Sequence, residues 1–392
     1  MTMFTGLSAF PLTPLADDAV DEHAFVRLIE RLSEAKVDSI TALGSTGSYA
    51  YLSGEERSRV ARLAVEHAGD TPVFIGVGAL RTSHVLANAE KAEQAGASGL
   101  LLAPMTYQPL TDDDVFELFR TVTANSSLPV IVYDNPGTTH FTFTTELYGR
   151  IAELPGIASM KLPGVPADAE LAQARIQEVR ASVPGHVTIG VSGDARAAAG
   201  LAAGCDAWYS VIGGTLPALA MRITRAARGG RVSEASAESE RLAPLLQLFA
   251  EFGGSLRVVA AIAEQLGLAS KSCLPLPIQG LTGKQRAGLA GFLMSSGSTR
   301  SSGPGVPRRK DRRGGGRWPV ASSPRRWCAA QRFLYSGIPG DSIAAWFLIA
   351  RLLSGAVGLF RLLQALIFGV PRKLPRRIIE WTTAVAVAAE VP

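Results

Sequence analysis

Eight short runs rich in Val, Ile and Leu recur over the first 230 or so residues, each followed by a longer stretch of helical spacing. No other feature limits the fold as strongly. The runs are "GLSAF", "SITALG", "PVFIGVG", "GLLLAP", "PVIVYD", "IASMKLP", "VTIGVSG" and "AWYSVIG". Their nearly continuous apolar character predicts strands covered on both faces, as in a parallel sheet flanked by helices. The first helical stretch, "DEHAFVRLIERLSEAK", places Phe25, Leu28, Ile29 and Leu32 on one face. Ser53 with Glu56 three residues later makes a capping box for the second. Gly69 and Gly96 stand where helix ends favour a left-handed residue.

Eight strand–helix units are what a (β/α)8 TIM barrel needs. A doubly wound open sheet uses the same units, but the first strand here lacks the G-x-G-x-x-G turn of a dinucleotide fold. Residues 1–230 are therefore expected to form an α/β barrel. The patterns "SEASAESERLAPLLQLFAEFG", "SLRVVAAIAEQLG" and "TGKQRAGLAGFLM" predict a C-terminal helical appendix over 231–295.

Charge separates a third region, 296–392. It carries 16 Lys/Arg against 4 Asp/Glu, which leaves 23 against 30 in the preceding chain. The body is thus a mildly acidic globule, and the net charge of +5 belongs to the tail. The tail opens on Arg, Gly, Pro and Ser, a composition of disorder. It then becomes strongly apolar, with Arg351 and Arg361 interrupting any run long enough to span a bilayer. Two readings stand: a basic linker with an interfacial helix that adheres to anionic membrane, or a GC-rich gene translated in the wrong frame. Membrane contact is expected only through this segment, and no nucleic-acid partner is expected. Cys205, Cys273 and Cys328 show no zinc or disulfide spacing. "MTMFTGLSAFPLTPL" lacks the basic and long apolar regions of a signal peptide, so the expectation is a reducing cytoplasm.

In a parallel barrel the chemistry lies at the C-terminal ends of the strands. Those ends carry "GSTGS" (Gly44, Ser45, Thr46, Gly47), "APMTYQP" (Thr106, Tyr107), "YDNPGTTH" (Tyr133, Asp134, Asn135, His140), Lys161, "SGDA" and "WYSVIGG". Lys161 is the conspicuous member, a charge inside an apolar run, sharing a face with Ser159. Desolvation there lowers an ammonium pKa and frees the amine to attack a carbonyl. Such a lysine forms a Schiff base whose iminium withdraws electrons from an adjacent bond. The alternative is a lysine that pairs with a carboxylate or reaches out to water. Tyr133, ending the neighbouring strand, favours the first reading because a phenol can relay the protons of imine formation. The "GSTG" turn offers hydroxyls and backbone N–H groups for a carboxylate. A lone loop histidine such as His140 reads as solvated, and Asp112–Asp114 read as helix caps. No metal-ligand spacing, phosphate loop or cofactor motif is present, so no cofactor is expected.

Together "GSTG", "YDNPGTT", Lys161 and "SGD", in that order and spacing, resemble the dihydrodipicolinate synthase / N-acetylneuraminate lyase family of Schiff-base aldolases. The resemblance runs from Phe4 to Met294. It implies a (β/α)8 barrel with a C-terminal helical region, a homo-oligomer (tetramer or dimer), and a lyase that binds pyruvate or another 2-oxo acid. It makes Lys161 the imine-forming residue, Tyr133 the relay phenol and Ser45 the relay hydroxyl. Thr46 and Gly47 would hold the keto-acid carboxylate, and Tyr209 would contact the keto acid through its backbone. The chain departs from the family at Ser48, where glutamate is usual, and at Thr106, which stands where the synthase's second relay tyrosine would be, with Tyr107 one place later. It departs again at Thr138, where the synthase has an arginine, and at Leu162-Pro163 after the lysine. The resemblance therefore implies a retained imine apparatus with an altered second-substrate site. Carbon–carbon bond formation or cleavage with an aldehyde is one expectation. Dehydration or decarboxylation of a sugar-derived 2-oxo acid is another, and a silent 2-oxo-acid-binding barrel is a third.

Overall fold

A computed structural model describes residues 3–295, so the expectations for 296–392 lie outside the described residues. Eight parallel strands close into a barrel in sequential order: β1 (Gly6–Ala9), β2 (Ser39–Ala42), β3 (Val73–Gly76), β4 (Gly99–Leu102), β5 (Val130–Tyr133), β6 (Ile157–Leu162), β7 (Thr188–Val191) and β8 (Ala207–Ser210). All eight are the runs expected from sequence. The barrel is the predicted one, and the open sheet is excluded because β8 pairs with β1, Ser8 opposite Tyr209.

The helices form where spacing and caps place them. α1 (Glu22–Glu34) buries Phe25, Leu28, Ile29 and Leu32. α2 (Gly54–His67) begins at Ser53, whose hydroxyl accepts from the Glu56 N–H while the Glu56 carboxylate accepts from Ser53 N–H. Gly69 and Gly96 take positive φ at the ends of α2 and α3 (Thr82–Gln94). α4 (Asp112–Asn125) starts with a second capping box, Thr111 with Asp114, which accounts for that acidic cluster without a metal. α5 (Thr145–Ala152), α6 (Ala169–Ser182), α7 (Ala197–Ala202) and α8 (Pro217–Arg228) complete the outer ring. Among the described residues four further helices follow: α9 (Val232–Glu240), α10 (Ala243–Glu251), α11 (Leu256–Gln265) and α12 (Gly283–Ser295).

A short hairpin, Leu15–Ala16 with Ala19–Val20, lies between β1 and α1 and has no counterpart in the sequence expectations. Its turn residues Asp17 and Asp18 both adopt left-handed φ, as a two-residue hairpin turn of this hand requires.

Two apolar layers cover the strands. Outside, aliphatic residues such as Ile40, Leu100, Val132 and Met160 pack under the helices. Inside, a smaller cluster holds Phe4, Phe10, Phe74, Leu101, Ile131, Tyr133 and Tyr209. Polar residues within the barrel pair with one another: Ser8 with Thr41 at 2.7 Å, and Ser159 with Tyr209 at 2.7 Å. The aromatic filling needs gaps. A Cβ on Gly190 of β7 would stand 2.3 Å from the Tyr209 ring, so only glycine admits that side chain.

Candidate active site

β6 presents alternate residues to the two layers. Met160 and Leu162 join the aliphatic layer, while Ser159 and Lys161 point into the barrel. The register sets Lys161 beside Tyr133 of β5 on one side and Gly190 of β7 on the other. The Lys161 Nζ lies 3.8 Å from the centre of the Tyr133 ring and 5.4 Å from that of Phe10. The side chain is buried, and among the described residues no carboxylate lies within ion-pairing distance of its amine. Burial pulls the Lys161 pKa from its usual 10.5 down to about 7, while the more distant Asp194 and Asp134 carboxylates oppose that fall. The ring faces also favour the ammonium form, but desolvation of the amine outweighs them. Much of this lysine is therefore a neutral nucleophile near neutral pH.

A hydroxyl network adjoins the amine. The Tyr133 phenol shares a 3.1 Å hydrogen bond with the Ser45 hydroxyl. The Asn135 amide nitrogen donates to Tyr133 at 2.8 Å and lies within reach of Ser45 at 3.2 Å and Thr138 at 2.6 Å. An amide NH₂ has two hydrogens for these three oxygens. The phenol can thus remain a donor toward the cavity while its oxygen is held in place. Burial raises the Tyr133 pKa, which keeps the phenol protonated and ready to give and regain a proton.

Elements behind the network fix its position. Tyr148 of α5 donates to Asp134, the residue after Tyr133. Asp194, in the "SGD" turn after β7, accepts from Trp208 Nε1 at 3.1 Å, Ser210 Oγ at 3.0 Å and the Ile212 N–H at 2.9 Å. It thereby ties the ends of β7 and β8 together. The Ser45 loop is held by a close approach: a Cβ on Gly76 would stand 1.8 Å from the Leu43 carbonyl. Leu43 itself takes φ 58°, a left-handed conformation that a leucine adopts only under tertiary constraint. Arg57 of α2, buried with its pKa lowered to about 10 by desolvation, donates to the carbonyls of Gly76 and Gly78 and clamps the same corner.

The amine and its hydroxyl network line a cavity of about 540 Å³ at the C-terminal end of the barrel. Of the residues expected from sequence, Lys161, Tyr133, Ser45, Thr46, Thr138 and Tyr209 line it together. Gly47 does not: it packs behind the loop, where a Cβ would meet the Leu43 backbone at 3.0 Å. Thr106 and Tyr107 also stand apart from the lining. The chain after β4 turns outward toward the Thr111 cap, so Thr106 bonds to the Gln108 carbonyl and Tyr107 is 87% exposed. Met105 faces the cavity from this loop instead.

Several lining residues carry no expectation from the sequence, Phe10, Met105 and Arg257 among them. Phe10 lies in the first apolar run with no role assigned to it, whereas Asn135 stands among the strand-end residues the sequence singles out, without a defined role. Arg257 reads as a solvated helical position, yet it reaches the cavity from the Gly253–Arg257 segment ahead of and within α11. The paired positive φ values of Gly253 and Gly254 are the local signal that this segment bends. Among the described residues no cluster of His, Cys, Asp and Glu could hold a metal ion.

Residues 3–295 match the family model described as "Dihydrodipicolinate synthetase family". A dihydrodipicolinate synthase structure from Agrobacterium tumefaciens C58 superposes with a TM-score of 0.72 at 42% identity, covering 75% of this chain and 98% of that one. A prophage protein of the family from E. coli K12, determined in complex with pyruvate, superposes with a TM-score of 0.69 at 26% identity over 75% and 99% of the two chains. The 4-hydroxy-tetrahydrodipicolinate synthase of Gluconacetobacter diazotrophicus is 31% identical over 70% of this chain and 92% of its own length. Its barrel, the ordered strand-end motifs and these relatives agree: the chain belongs to the dihydrodipicolinate synthetase family.

Proposed function

We propose that this protein is a Schiff-base lyase acting on pyruvate or another 2-oxo acid. The observation that carries the reading is a buried lysine amine with a pKa near 7 beside a phenol held by Ser45 and Asn135. The Lys161 Nζ lone pair attacks the ketone carbon, and the carbonyl oxygen takes a proton delivered through Tyr133 and Ser45. The carbinolamine then expels its hydroxyl as water, protonated by the same relay, leaving a C=N bond to Lys161. Loss of a proton from the adjacent carbon gives an enamine, which adds to an aldehyde; the reverse sequence cleaves the new bond. Thr46 and the N–H groups of its loop, with the backbone around Tyr209, hold the keto-acid carboxylate. Asn135 is a positioning residue for the phenol.

The general class rests on family membership, and pyruvate on a relative determined in complex with it. We further propose a cytoplasmic homo-oligomer. Cys205 and Cys273 are buried free thiols, and Tyr51, Leu80 and Tyr107 expose large apolar surface on the loops after β2, β3 and β4. No helix among the described residues is long and apolar enough to cross a membrane. The test is reduction with borohydride in the presence of a panel of 2-oxo acids, followed by peptide mass mapping. The expected result is one adduct on Lys161, lost in Lys161→Ala. Labelling elsewhere, or equal labelling of the variant, removes the proposal. Labelling of Lys161 without turnover of any acid leaves a binding barrel.

A further inference from the structure

The cavity contains two cationic side chains, and among the described residues none of its lining is acidic. Lys161 lies deep, on the barrel strand, between two aromatic rings. Arg257 comes from outside the barrel, on the first turn of α11, and is only half-buried. Its Nε donates to the Gln279 carbonyl at 3.0 Å, which fixes the plane of the guanidinium. Among the described residues nothing else bonds the side chain, so its two terminal nitrogens have no partner, and the residue lines the cavity. A guanidinium held by one edge with its other donors unmet is suited to a carboxylate, which it grips with two parallel N–H···O bonds. The loop after β5, across the mouth, offers only the Thr138 hydroxyl and the Asn135 amide.

We infer that Arg257 binds a second carboxylate, so that the substrate of this barrel is dianionic: a 2-oxo acid, or the adduct of one, with an acid group at its far end. This rests on the Schiff-base reading above. The near carboxylate and ketone belong to Thr46 and Lys161, and the distal carboxylate to the C-terminal helical region. Specificity is thus divided. The barrel selects the 2-oxo acid unit, and α11 selects the length and charge of the remainder. The cavity is larger than the keto-acid unit needs, and its outer wall, Gly253–Arg257 with Ile278, comes from that second region.

The test compares 2-oxoglutarate with 2-oxovalerate, which has the same chain but a methyl group in place of the distal carboxylate, and uses pyruvate as the short control. Trapping on Lys161 by borohydride gives an apparent affinity for each. The wild-type protein is expected to trap 2-oxoglutarate, or its longer homologue 2-oxoadipate, at roughly 10- to 100-fold lower concentration than 2-oxovalerate. Arg257→Gln is expected to erase that preference while weakening pyruvate trapping far less than 2-oxoglutarate trapping, and Arg257→Lys to keep part of it. Equal trapping of both diacids and the monoacid by the wild type overturns the inference. So does a preference that survives Arg257→Gln, or a variant that loses pyruvate trapping to the same degree. If no acid labels Lys161 in the wild type, the Schiff-base reading fails and this inference falls with it; pyruvate labelling without a diacid preference overturns the inference alone.

Discussion

Two layers of side chains meet the same eight strands from opposite sides, and they are built on different terms. The layer under the helices is wide and mostly aliphatic, with Val, Leu and Ile from most strands and helices sharing the burial. The barrel interior is narrow, and a few rings and hydroxyls fill it: Phe4 stacked on Phe74 at 4.9 Å, Phe10 edge-on to Tyr209 at 6.1 Å, and Ser159 bonded to Tyr209. The outer layer is redundant, so no one residue decides it. In the interior each group has one place, and an amine among them loses its hydration. The same strand therefore serves stability through Met160 and chemistry through Lys161.

That contrast can be broken at graded cost. The largest expected effect is a gain. Holding the Lys161 pKa at about 7 rather than 10.5 corresponds to roughly 5 kcal/mol of disfavoured ammonium burial. The folded-state pKa lies below the unfolded one, so the unfolded chain binds the extra proton between those two values. The penalty is full below pH 7 and fades as pH rises toward 10.5. Lys161→Met is accordingly expected to raise stability by up to a few kcal/mol near about pH 6, and by clearly less near about pH 9. Calorimetry at both values checks this, and an equal gain at both would place the titration elsewhere.

Next in size, Phe74→Ala in the interior is expected to cost about 3–5 kcal/mol in a urea melt, because the stacked ring has no neighbour able to fill its space. Tyr133→Phe keeps the ring over Lys161 and removes only the hydroxyl. It is expected to slow imine formation roughly 100-fold with little change in the melt. A comparable loss of both would make the phenol structural. The smallest effect belongs to the outer layer, where Ile29→Val is expected to cost only about 0.5–1.5 kcal/mol.

Much of this was legible in the chain because barrel strands are buried on both faces and so appear as unbroken apolar runs. Lys161 stood out for the same reason, since a charge in such a run has no solvated side to face. Caps were equally plain, because Ser53 and Glu56 act within one turn. What escaped is what closure of the barrel brings together. Phe10 meets Lys161 only because β1 returns to β8. Arg257 sits nearly a hundred residues beyond Lys161, on a helix whose local pattern marks it as a surface residue. Thr106 and Tyr107 were placed by likeness to a motif, but a loop's side chains follow its own path outward to the next helix cap. Asn135 lay inside a recognised motif, yet only the folded geometry reveals the three oxygens it faces.

The central claim is that burial beside Tyr133 makes Lys161 a neutral amine that condenses with a 2-oxo acid. The direct measurement is the rate of pyruvate imine formation on Lys161, trapped by borohydride and mapped by mass, across about pH 5.5 to about pH 9. The rate is predicted to rise with pH, pass its midpoint near 7 as the ammonium loses its proton, and then level. A rate still climbing at the top of that range, as for an ordinary solvated lysine, would contradict the account, as would labelling that survives Lys161→Ala.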